Sequence, residues 1–158
     1  MLFSLKSTVL ALSVAVLGVQ AERHIVHFVN RCGRGTPRLI QGPNVLSTGG
    51  DYVSNGPLRG AIAYLQTGSC GFNGEGCTLI ETTLVNPTSP GSGSSTDISL
   101  ISPLKFSVTS GFGYYNGCDG AGANCEGPSC STAFKKPSDT HVQVACQKND
   151  VNLAITFC

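Results

Sequence analysis

The sequence predicts an all-β fold, a sandwich or flattened barrel cross-linked by disulfides, on three observations. Short runs rich in β-branched and aromatic residues recur along the chain, and clusters of turn-forming residues separate them. No stretch keeps a 3.6-residue apolar period over three turns. Eight cysteines, all downstream of a segment laid out like an export signal, supply the cross-links.

The export signal is Met1–Ala21: one positive charge at Lys6, an apolar run from Val9 to Leu17, and short residues at Val19 and Ala21. Residues 22–158 are then expected to form one domain in an oxidising compartment, outside the cell, where an even set of cysteines reads as disulfides. The first strand is His24–Asn30, with His24, Val26 and Phe28 on one face and Ile25, His27 and Val29 on the other. Further strands are expected at Ala61–Gln66, Thr78–Val85, Asp97–Ser102, Lys105–Thr109, His141–Ala145 and Val151–Phe157. Between them stand Gly33-Arg34-Gly35, Thr48-Gly49-Gly50-Asp51, Asn55-Gly56-Pro57, Asn73-Gly74 and Asn116-Gly117. A long loop is expected at Asn86–Thr96. The glycine- and cysteine-rich segment Gly111–Ser131 is expected to be neither strand nor helix, ordered by its bridges.

Composition narrows the function classes. Lys6 is the only charge before Glu22, so the ten Lys and Arg residues of the chain fall to nine, against nine Asp and Glu. A neutral mature domain has no bulk field for nucleic acid or an anionic membrane. No later apolar run approaches the roughly 20 residues of a membrane helix, so no membrane insertion is expected. Asn86 is followed by Pro87, which blocks asparagine-linked glycosylation, whereas Pro87–Thr96 suits O-linked sugar or a bare surface loop.

Both ends of the mature chain carry a specific pattern. Phe28-Val29-Asn30-Arg31-Cys32 and Thr156-Phe157-Cys158 resemble the ends of thaumatin-like proteins, in which an Asn-Arg-Cys strand is bridged to a Thr-Phe-Cys terminus. Interior pieces follow in the family's order: Gly49-Gly50-Asp51-Tyr52, Gly60-Ala61-Ile62-Ala63-Tyr64, Glu81-Thr82-Thr83-Leu84, Asp97-Ile98-Ser99-Leu100-Ile101 and Val144-Ala145-Cys146. The resemblance covers nearly all of His24–Cys158. It implies a flattened β-sandwich or barrel without the helical second domain of the long members. Of the 105 full pairings open to eight cysteines, it implies Cys32–Cys158, Cys70–Cys77, Cys118–Cys146 and Cys125–Cys130. Short members usually carry ten cysteines, so one bridge is missing here.

Thaumatin-like proteins often have an acidic cleft of one Arg, one Glu and three Asp, associated with β-1,3-glucan binding and weak hydrolysis. Glu81 stands at the family's Glu and Asp97 at its first Asp. Ser102 takes the place of the second, the arginine position falls near Leu65, and Asp139 is a loose counterpart of the third. The cleft is depleted. Glycosidase chemistry needs two carboxyl groups at a controlled separation, one protonated and one ionised. Glu81 and Asp97 are therefore either a residual sugar-binding or catalytic pair, or two solvated strand carboxylates.

Phe112, Tyr114 and Tyr115, set among glycines, suggest either a platform for stacking sugar rings or core packing. Arg31, Arg34, Arg38 and Arg59 line either the rim of a cleft or a solvated edge. His24 and His27 point to opposite faces of one strand and cannot share an ion there; with no free thiolate and no Met beyond Met1, no metal or cofactor is expected. The expected protein is a monomer that binds β-glucan or another wall polysaccharide, in defence or wall remodelling, with little or no catalysis. The alternatives are a weak endo-β-1,3-glucanase using Glu81 and Asp97, and an interaction or signalling protein acting through the loops 86–96 and 111–131.

Overall fold

A computed structural model describes residues 21–158; the expected signal peptide, apart from Ala21, lies outside the described residues. The described residues form twelve strands: β1 (His24–Asn30), β2 (Thr36–Gln41), β3 (Asn44–Ser47), β4 (Tyr52–Ser54), β5 (Leu58–Gln66), β6 (Leu79–Leu84), β7 (Ser94–Ser99), β8 (Ser110–Tyr115), β9 (Gly122–Cys125), β10 (Ala133–Phe134), β11 (Val144–Cys146) and β12 (Asn152–Phe157). The one helical element among the described residues is a 3-10 turn, Thr140–Val142.

These strands make two sheets. A five-stranded sheet runs β4-β1-β12-β8-β9, and a seven-stranded sheet runs β10-β7-β6-β5-β2-β3 with β11 also on β7. Strands β1 and β12 pair in parallel, Phe28 opposite Ile155 and Asn30 opposite Phe157, so the two ends of the domain lie side by side. Alternation then buries one face of each sheet against the other. Val26, Leu153, Ile155 and Phe157 meet Ala61, Ala63, Leu65, Ile80 and Ile98 in a single core. The Phe28 and Phe157 rings stack within it at 6.3 Å. Disulfides Cys32–Cys158, Cys70–Cys77, Cys118–Cys146 and Cys125–Cys130 staple this all-β fold. The first closes a span of 126 residues and ties the end of β1 to the end of β12.

The outer face of the seven-stranded sheet is covered over only part of its width. Ile40, Tyr64 and Leu79 form a second, smaller cluster there, with Ile62, Cys70 and Leu104 packed on it. Its lid is the Cys70–Cys77 loop: the Tyr64 hydroxyl donates to the Phe72 carbonyl at 2.8 Å. Gly74 sits so close that a Cβ would collide with Leu79.

Several sequence expectations need correction. Segment 111–131 contains most of β8 and all of β9. Its glycines permit the close approach of two strands: a Cβ on Gly111 would lie 2.7 Å from Asn124 Oδ1, and one on Gly122 would collide with the Phe112 carbonyl. The loop after β6 ends earlier than expected, because Ser94 Oγ bonds both the backbone N and O of Val85 and draws β7 forward to Ser94–Ser99. Lys105–Thr109 is irregular, since it crosses from one sheet to the other. Its backbone is satisfied locally, Ser107 N donating to Thr78 Oγ1 and Thr78 N to Ser107 Oγ. His141–Ala145 divides between the 3-10 turn and β11.

Candidate functional site

Glu81 and Asp97 are direct cross-strand partners on β6 and β7. Alternation fixes where they point. On β6 the core side takes Ile80, Thr82 and Leu84, and on β7 it takes Ser94, Thr96 and Ile98, so Glu81 and Asp97 share the outer face. Beneath them the core side is tied by polar bonds. The Thr82 and Thr96 hydroxyls lie 2.7 Å apart, and the Tyr114 hydroxyl lies 2.9 Å from Thr96 Oγ1 and 3.0 Å from the Val144 carbonyl.

The two carboxyl groups differ in setting. Glu81 is exposed, whereas Asp97 is only 7% exposed. The free side of β7 explains the burial. Strand β10 pairs with Ile98 and Ser99, β11 pairs with Ser94–Thr96, and Asp97 falls at the junction of the two partners. Asp97 Oδ1 is buried with no hydrogen-bond partner among the described residues. Burial first, and the negative charge of Glu81 second, push the Asp97 carboxyl up to about 6, against a smaller opposing pull from the Gln143 amide.

Around the pair lies an open groove of about 260 Å³, walled by Gly60, Ile62, Thr83, Ser95 and Gln143. Apart from the two carboxyl groups its lining is uncharged. Such a groove can hold a hydroxylated, uncharged ligand by hydrogen bonds, with a protonated Asp97 serving as donor and acceptor at once.

The remaining candidates lie elsewhere. Tyr114 is a core residue, 3% exposed, its phenol pushed up to about 12 by burial against the Thr96 hydrogen bond; neither it nor Phe112 offers a stacking face. Tyr115 is half-buried on the other sheet. Burial and then the Asp51 charge raise its phenol, against Arg23, and it does not join the groove. Asp139 holds a turn: the backbone N–H groups of Lys135 and Lys136 donate to its Oδ2 and, led by Lys135, keep its carboxyl below the ordinary range. It does not line the groove. Leu65, at the expected arginine position, is fully buried, and Ser102 lies in an exposed turn. His24 is buried, with Nδ1 2.7 Å from the Val151 carbonyl and Nε2 3.0 Å from Glu22 Oε1; His27 lies beside Asp51 on the opposite face.

A larger depression of about 700 Å³ escaped the sequence reading. It lies on the outer face of the five-stranded sheet, over Gly111, Gly113, Ala154 and Thr156, with Arg31 and Glu126 at its rim. Small side chains from β8, β9 and β12 leave this space, and no local pattern in the sequence announces it.

Compared with known proteins, the chain matches no protein-family model and no curated protein.

Proposed function

We propose that this is a secreted, thaumatin-like protein that binds β-glucan or another cell-wall polysaccharide, in defence or wall remodelling, with little or no catalysis. The observation that carries the reading is the Glu81–Asp97 cross-strand pair at the floor of an open groove whose other walls are uncharged. The family part rests on the Asn30-Arg31-Cys32 and Thr156-Phe157-Cys158 ends and the ordered pieces between them. Secretion rests on the Met1–Ala21 layout and on four bridges suited to an oxidising compartment. No helix among the described residues is long and apolar enough to cross a membrane.

The expectation of little or no catalysis rests on the depleted cleft: Leu65 is buried in the core and Ser102 lies in an exposed turn where the resemblance expects the arginine and the second aspartate, and Asp139 does not line the groove. The test is co-sedimentation of the oxidised protein with insoluble β-1,3-glucan, chitin and cellulose, with reducing-sugar release read from the same tubes. Retention on β-glucan without release is expected. Sugar release that disappears in Glu81→Gln would make the protein a glucanase, and no retention on any of the three would remove the polysaccharide reading.

A further inference from the structure

Register relations across the seven-stranded sheet set five side chains in one row on its outer face, with Ile40 buried in the row and the others at least partly exposed or lining the carboxyl groove. Asp97 is opposite Glu81, Glu81 opposite Ile62, Ile62 opposite Ile40, and Ile40 opposite Val45. With strands about 4.8 Å apart, the row is about 19 Å long and runs across the strands. The carboxyl groove occupies one end. At the other, Val45 is 43% exposed and Phe72, reaching in from the Cys70–Cys77 loop, is 49% exposed. A depression of about 170 Å³ between them is lined by Arg38, Ile40, Tyr64 and Gln66. Ile62, partly exposed, lines the carboxyl groove and packs on the cluster beneath the loop, so it links the two ends.

Phe72 is exposed on a loop whose backbone is held. Its carbonyl accepts from Tyr64, Gly71 N donates to the Glu75 carbonyl, and the Glu75 carboxylate accepts from both Asn73 N and Asn73 Nδ2. The Cys70–Cys77 bridge closes the same loop. An aromatic residue on a loop already braced before binding costs less loop ordering when a partner covers it.

We infer that Phe72 and Val45 form an apolar subsite at the far end of the polysaccharide site, so that one extended glycan chain lies across the strands from the Glu81–Asp97 groove to Phe72. The inference rests on the polysaccharide reading above. A sugar ring has an apolar C–H face and a hydroxylated edge. The row offers the matching surfaces in order: uncharged polar walls at one end, Ile62 in the middle, and an exposed aromatic ring beside Arg38 at the other.

The experiment is a binding series by calorimetry, with short and long soluble β-1,3-gluco-oligosaccharides against the wild type, Phe72→Ala, Phe72→Tyr and Asp97→Asn. Phe72→Ala should weaken the long oligosaccharides about tenfold, the loss of one interface anchor. It should leave short ones, which fill only the groove, unchanged; Phe72→Tyr should restore the long ones. If the wild type binds but Phe72→Ala leaves the long oligosaccharides unchanged, and affinity is independent of chain length, the subsite is wrong and the groove stands. If the wild type binds no oligosaccharide of any length, both readings fall.

Discussion

Replacing Asp97 with Asn removes a buried carboxyl group that resists ionisation while keeping its shape. In the folded protein that carboxyl titrates at about 6, above its ordinary 3.8, because burial and the Glu81 charge disfavour the anion. The sign follows from linkage: between these values the folded state binds the proton that the unfolded chain has released, so stability falls as pH rises. The contribution is full below 3.8 and lost as pH climbs through about 6. At about 1.36 kcal/mol per pH unit the upper bound is about 3 kcal/mol; the groove is open to water, and screening reduces this to about 1–2 kcal/mol. Asp97→Asn should therefore stabilise the protein at pH 8 by about 1–2 kcal/mol, or roughly 4–8 °C in Tm. At pH 3.5, where the wild-type group is already neutral, it should change little. Urea melts of both proteins at pH 3.5, 5 and 8 read the difference directly, since other titrating groups cancel between them. A stability difference that stays constant with pH, or a variant weaker than wild type at pH 8, would refute the assignment of a buried, reluctant carboxyl.

The other predictions concern the same sheets. Glucan retention should fall between pH 5 and pH 8 in the wild type but not in Asp97→Asn, because a ligand covers a neutral carboxyl at less cost than a charged one; a flat wild-type profile would contradict this. The pair Cys32→Ser and Cys158→Ser should lose about 5 kcal/mol in the chain-entropy model for a span of 126 residues. That is comparable with the whole stability of many domains, and a urea midpoint near wild type would oppose it. Tyr114→Phe should lose about 1–2 kcal/mol through its hydroxyl bonds to Thr96 and Val144. Its glucan retention should match wild type, and lost retention would move Tyr114 from the core to the site. Gly122→Ala should cost about 1–3 kcal/mol, since its Cβ meets the Phe112 carbonyl; hydrogen exchange should show β9 amides loosened, and unchanged protection would count against the close approach.

What the sequence disclosed follows from how local each signal was. Strand β1 was legible to the residue because His24, Val26 and Phe28 alternate with less buried partners, and β5, β6 and β12 were found with shifted ends. Strands β2, β3 and β4 were missed: Pro37 and Arg38 break the pattern of β2, and the other two span four and three residues. The glycines of β8 and β9 read as loop because close strand approach shows only once both strands are present. Glu81 and Asp97 were found through a resemblance, but their environments were not. Asp97 is buried because two strands from after residue 132 divide the edge of β7, a fact written nowhere near Asp97. Tyr114 and Tyr115, adjacent in sequence, separate into core and outer face for the same alternation that made β1 easy to read.

The central claim is that the outer face of the seven-stranded sheet holds the ligand. Amide NMR of the oxidised protein, titrated with a soluble β-1,3-gluco-oligosaccharide, tests it most directly. Saturable shifts should concentrate at Gly60–Ile62, Glu81–Thr83, Ser95–Asp97 and Gln143. Shifts confined instead to Gly111, Gly113, Ala154 and Thr156 on the opposite sheet, or no shifts at all, would contradict it.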